Sequence, residues 1–306
     1  MAETGTVNKD FVSSRSGLNL RDHKVPWVYC AAGSMISLKS KLRRLKSSVF
    51  VMRGRRPYAR GYDSYRRIQL EEYLRRELPH GVLPEAWGLW LDERAIEYPW
   101  FFSHLPDTSG RLLDAGSILN HDYVLGHQKL RNKTISIFTL APESESYCDR
   151  GISYVYGDLR ESCYRDNYFD WIVSISTLEH VGMNNTLFLT KDRSKNESDP
   201  ESHLRAVSEL RRILKVSGVL YITLPFGRAQ SHGWLQVFDI RMVRNLQDVF
   251  RPASCRETYY RYTNSGWQIS SEDECRDARY FDPSKGGTVK TDFAAAEAVV
   301  CMELVK

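Results

Sequence analysis

The stretch RLLDAGSILNH, residues 111 to 121, joins an apolar run to an acid and a glycine, Asp114 and Gly116, with Ser117 behind them. An acid-x-Gly turn closing a buried strand offers a carboxylate and bare backbone N–H groups to a nucleotide-like ligand. Later stretches place further polar groups after apolar runs: Thr139 in TISIFTL, Asp158 with Leu159 in YGDLRE, and Glu179 with His180 in STLEHVG. Four side chains in the second half, Glu179, His180, His232 and Asp239, could take up a proton, and a histidine titrating near neutrality suits a general base. Where a dinucleotide turn carries more glycines, this one has Ile118 and Asn120. That loss disfavours the pyrophosphate of NAD, whose approach needs bare backbone. Asn tolerates a left-handed backbone, so Asn120 is expected to preserve the turn, whereas Ile118 could not adopt that conformation comfortably.

These groups need strands to present them. Short apolar or β-branched runs occur at 112–117, 134–140, 152–157, 170–177 and 218–226, with later ones at 254–262 and 296–304, the last expected to insert antiparallel. Helical pattern fills the gaps, most clearly ESHLRAVSELRRILK, where Leu204, Val207, Leu210, Ile213 and Leu214 form a stripe and SGV should stop the helix. Continuous apolar strands alternating with helices imply an α/β fold: Rossmann-like, doubly wound, with a mostly parallel seven-stranded sheet. Upstream, YRRIQLEEYLRREL reads as a helix ended by Pro79 and Gly81. PEAWGLWLDERAIEYPWFFSHL reads as a second, aromatic-rich helical piece interrupted by Pro99. Together they suggest a helical cap over 61–110, between a basic, partly loose segment at 1–60 and the Rossmann-like domain at 111–306.

The phrases LLDAGS, YGDLRE, YFDWIVSISTLEHVG and ELRRILKVSGVLYITLPFG, in that order, resemble class I S-adenosylmethionine-dependent methyltransferases from about Arg111 to the end. More narrowly, LDERAIEYPW, DAGSILNH, GWQ and AEAVVCMEL resemble members associated with glycan modification. The resemblance implies S-adenosyl-L-methionine as cofactor, with Asp114, Gly116, Ser117 and Asn120 at its methionine end and Asp158 and Leu159 at its adenine. The acid usual for the ribose hydroxyls is replaced by Thr139, with Glu143 or Glu145 as possible substitutes from the following loop. It further implies O-methylation of a sugar or polysaccharide, with His232, His180, Glu179 or Asp239 as proton acceptor and Trp234 as a flat face for the sugar. A scaffold without cofactor and an RNA-directed methyltransferase stay open as alternatives. His121 reads as a turn-stabilising side chain, and no metal cluster is expected.

Composition bounds the rest. At 42% hydrophobic and 26% charged, the 306-residue chain can bury one main core. No apolar run is long enough to span a bilayer and no secretory pattern opens the sequence, so a cytoplasmic location is expected. The six cysteines lie far apart with no CxxC pair, which argues against a disulfide framework and a zinc ribbon. The net charge of +5 is uneven, with eleven Lys or Arg against Asp63 alone between Lys39 and Arg67. Within that segment Leu38, Leu42, Leu45 and Val49 recur at helical spacing, as on a short basic amphipathic helix packed against the main domain. Residues 39–67 could alternatively meet an anionic membrane surface or a lipid-linked glycan, with nucleic acid a lesser option.

Overall fold

The computed structural model describes residues 28–76, 83–187, 189–282 and 295–306, with side chains from Leu38 onward except Lys39. Pro79 and Gly81, expected to end a helix, lie outside the described residues. The chain divides into two compact units, Met1–Leu42 and Arg43–Lys306. Helix α1, Val28–Met52, begins within the stretch expected to be loose, because nothing from Val28 on breaks it: there is no proline, and Gly33 is its one glycine. Of its stripe, Leu45 is exposed, and it is Phe50 that enters the core of the second unit.

In the second unit α2 (Tyr62–Tyr73) and α3 (Arg94–His104) precede the sheet. Pro99 lies inside α3 and does not interrupt it. A helical proline deprives the carbonyl four residues earlier of its donor. Here that carbonyl, Ala95 O, accepts a hydrogen bond from Trp87 Nε1 at 2.7 Å, so the helix loses no pairing.

The remaining elements run β1 (Gly110–Ala115), α4 (Asp122–Leu125), β2 (Lys133–Thr139), β3 (Ser153–Tyr156), β4 (Phe169–Ile175), α5 (Ser202–Ile213), β5 (Leu214–Pro225), β6 (Gln230–Ser231), β7 (Gln236–Val237), α6 (Ile240–Phe250), β8 (Ser254–Thr263), β9 (Gly266–Ser270), α7 (Glu272–Cys275) and β10 (Ala298–Val305). The main sheet has the order β3-β2-β1-β4-β5-β10-β8-β9. Its first five strands are parallel, and β10 inserts antiparallel between β5 and β8. This is the expected Rossmann-like doubly wound sheet with eight strands in place of seven. The eighth, β9, forms a hairpin with β8 and buries Trp267 under the cap, where its backbone N donates to Trp87 O at 2.8 Å. Helix α5 also stops earlier than the sequence suggested, at Ile213, and β5 starts at Leu214, ahead of the SGV triplet.

Both faces of the sheet are covered, which is why its parallel strands are apolar without alternation. Leu112, Ile137, Val173 and Tyr221 pack on one side with Trp100, Phe101 and Leu70 of the cap helices. Leu113, Phe138, Ile172 and Ile222 pack on the other with Val207 and Leu210 of α5 and Val243 and Leu246 of α6.

Candidate active site

Strand order reverses between β1 and β4, and in open α/β sheets a ligand crevice forms at the carboxyl ends of the strands beside such a reversal. A groove enclosing about 550 Å³, partly open to solvent, lies there. Gly116 after β1, Thr139 and Leu140 after β2, Gly157, Asp158, Leu159 and Arg160 after β3, and Thr177, His180 and Val181 after β4 line it. Of the residues expected to hold a cofactor, it thus gathers Gly116, Thr139, Asp158 and Leu159.

The turn after β1 is built differently from the expectation. Gly116 has φ 126° and Ser117 has φ 68°, so the left-handed residue is Ser117 and not Asn120. Asp114, fully buried, accepts from Ile118 N at 3.1 Å and from Leu119 N at 2.7 Å, and so spends its carboxylate on holding the turn. Burial pushes its pKa up to about 7 against the lowering effect of those bonds. Asn120 is a tie: its Nδ2 donates to Glu143 Oε2 at 2.8 Å and Glu145 O at 3.0 Å, and its Oδ1 accepts from Tyr154 OH at 2.8 Å. That engages Glu143, and the Glu145 carboxylate accepts from Tyr147 OH, so Thr139 is the polar side chain that β2 brings to the groove. The Ile118 side chain packs into the core beneath the cap and does not line the groove.

A Cβ on Gly116 would run into the Thr177 side chain, so only glycine lets the two loops meet. Ser117 Oγ is buried without a hydrogen-bond partner among the described residues, and Ser117 does not line the groove. Phe138, Leu140, Leu159, Val181 and Leu189 supply apolar wall. At the rim Arg160 donates through Nε to Asp158 Oδ1 at 2.9 Å and through Nη2 to Oδ2 at 2.6 Å, and it also binds Glu197 at 2.5 and 2.7 Å. Burial would raise the Asp158 pKa, but the bonds from Arg160 outweigh it and hold the carboxyl below the usual range.

The candidate proton acceptors separate. Asp239 caps α6, accepting from Met242 N at 3.0 Å, and does not line the groove. His180 lines it. Its Nδ1–H donates to Trp234 O at 2.9 Å, its ring stacks on Trp234 at 5.3 Å, and burial pulls its pKa down to about 4. The ring is therefore neutral at pH 7, and because a carbonyl only accepts, Nε2 is the unprotonated nitrogen. His232 is not in an open loop: its side chain is 3% exposed and its Nδ1 lies 3.3 Å from Asp282 Oδ2. Trp234 Nε1 donates to Asp282 Oδ1 at 3.2 Å, which joins His232, Asp282, Trp234 and His180 into one cluster. His121 stacks on Tyr123, and no group of metal-ligating side chains occurs among the described residues.

Behind the β4 tip lies a buried polar layer that the sequence reading missed. Glu97 of α3 accepts from Ser176 Oγ at 2.7 Å and Thr223 Oγ1 at 2.5 Å and pairs with Arg94, which also donates to Ser176 Oγ at 2.8 Å. The spacing of Glu93, Arg94 and Glu97 inside an aromatic-rich helix was the available signal. Glu179, 3% exposed, faces this layer, and its Oε2 has no hydrogen-bond partner among the described residues.

Residues 137–222 match the family model described as a methyltransferase domain. The matched segment runs from the end of β2 into β5 and contains Thr139, Asp158, Glu179 and His180. No curated protein matches this sequence. Among solved structures, the chain is similar to a SAM-dependent methyltransferase from Archaeoglobus fulgidus at 11% identity and a TM-score of 0.43, covering 68% of this chain and 90% of that one. It is similar to the 1,6-didemethyltoxoflavin-N1-methyltransferase of Burkholderia thailandensis at 10% identity and a TM-score of 0.41, covering 94% and 93%. A possible histamine N-methyltransferase from Thermotoga maritima aligns at 16% identity and a TM-score of 0.38, covering 69% and 87%.

Proposed function

We propose that this protein is an S-adenosylmethionine-dependent methyltransferase and that its acceptor is a hydroxyl of a sugar or polysaccharide. The observation that carries the reading is the groove at the β1/β4 reversal, where Gly116, Thr139, Asp158 and Leu159 converge. Their chemistry fits the donor: Gly116, without a side chain, for close approach of the methionine end, Thr139 for a ribose hydroxyl, and Asp158 with the Leu159 backbone for adenine. Bound there, the sulfonium supplies an already activated methyl carbon, so the protein's task is to position the nucleophile and take its proton. Trp234 offers an aromatic face beside His180, which supports a sugar-like acceptor. A crystal structure with S-adenosylhomocysteine tests the reading: adenine density between Asp158 and Leu189 supports it, and nucleoside density elsewhere contradicts it.

An anionic membrane surface or lipid-linked glycan remains the proposed partner of the basic segment. Leu45, 62% exposed, stands on α1 between exposed Arg44 and Lys46, and Arg53, Arg56 and Arg60 are exposed just beyond the helix. A leucine among cations suits a lipid interface better than a nucleic-acid track. In the described residues no helix is long and apolar enough to cross a membrane.

A further inference from the structure

We infer that Glu179 receives the acceptor's proton. The inference rests on the methyltransferase reading. Glu179 sits between Thr177 and His180, both of which line the donor groove, so it stands where that groove meets the buried layer beneath α3. Its Oε2 is buried without a partner among the described residues. A carboxyl oxygen in that state is unfavourable in a folded chain unless a ligand satisfies it. The groups facing it are Glu93, Arg94 and Glu97 of α3 and Tyr280.

Arg94 is already bound to Glu97 and Ser176, so it does not occupy the free Glu179 oxygen. The nearby Arg66 is engaged by Asp92 at 2.6 Å. A hydroxyl or ammonium at the transfer position offers hydrogens to Glu179. Burial pushes the Glu179 carboxyl well above its ordinary range, with Glu97 adding to the effect, so positive charge arriving at the transfer position favours the ionised form that accepts a proton. In the step itself the acceptor O–H bond breaks and the proton goes to Oε2. The O–CH₃ bond forms as S–CH₃ breaks, and the bonding pair stays on sulfur as a neutral thioether.

The test needs no known acceptor. Sinefungin carries a C–NH₃⁺ where the donor has S⁺–CH₃, so its ammonium probes the transfer position, while S-adenosylhomocysteine is neutral there. Calorimetry on the full chain should give sinefungin at least ~10-fold tighter than S-adenosylhomocysteine, the size of one desolvated charge pairing. In Glu179→Gln that preference should fall to within about 3-fold, with S-adenosylhomocysteine affinity unchanged. Glu93→Gln, which leaves Glu179 in place, should keep part of the preference and serves if Glu179→Gln does not fold. Equal affinities in the wild type, or a preference that survives in Glu179→Gln, overturn the inference. Failure of S-adenosylhomocysteine to bind at all overturns the methyltransferase reading and the inference with it.

Discussion

Gly116 and Thr177 touch at the point where the sheet's strand order reverses, and the contact is close enough that a Cβ on residue 116 would collide with the Thr177 hydroxyl and methyl. The loops after β1 and β4 can therefore share one groove only because residue 116 has no side chain. Gly116→Ala forces them apart and also places Ala at φ 126°. The expected result is a loss of about 1–3 kcal/mol of stability and a weaker response to S-adenosylhomocysteine, measured by thermal unfolding with and without ligand.

Arg160 holds Asp158 and Glu197 together at the groove rim. Removing it in Arg160→Ala leaves two carboxylates facing each other at the groove wall. Affinity for S-adenosylhomocysteine should drop roughly 10-fold, within the range for loss of a charge-assisted network, while Arg160→Lys restores part of it. Calorimetric titration of both variants checks this.

Trp87 completes the α3 helix by donating to the Ala95 carbonyl that Pro99 leaves without its usual partner. Trp87→Phe keeps most of the ring packing against Tyr73 but strands that carbonyl. Chemical denaturation should show a loss of about 1–3 kcal/mol, the cost of a buried unsatisfied acceptor plus lost packing.

Glu209 makes an acid-stability prediction. Burial would raise its pKa, but Arg212 and the Ser162 N–H and hydroxyl, all bonded to it, bring it down to about 2. A carboxyl depressed in the folded state stabilises above the unfolded pKa, near 4.5, and loses that contribution as pH falls toward 2. Glu209→Gln should therefore be less stable than the wild type at pH 6 and flatten the stability curve between pH 4.5 and 2, read by urea midpoints across that range.

The strands and their order along the chain were legible because parallel strands buried on both faces read as apolar runs, and Thr139, Asp158, Glu179 and His180 were legible because they end such runs. Local turn chemistry was not. The sequence favours Asn120 as the left-handed residue, but the buried Asp114 carboxylate binds the N–H groups of Ile118 and Leu119 and tightens the turn so that Ser117 takes that conformation. Contacts across long sequence separations were also out of reach: Asp282 meets His232 and Trp234 from 50 and 48 residues away, and Glu97 meets Thr223 from 126. Neither shows a local period. Helix α1 misled for a related reason, since Leu45 looks like part of a packing face and is left exposed while Phe50 is buried.

Titration of the full chain with S-adenosylhomocysteine by calorimetry tests the central claim most directly. Saturable binding at one site per chain, weakened in Gly116→Ala and Arg160→Ala, is the predicted result. No heat and no thermal shift at millimolar ligand would mean that the groove at the β1/β4 reversal does not hold the methyl donor, and would contradict the account.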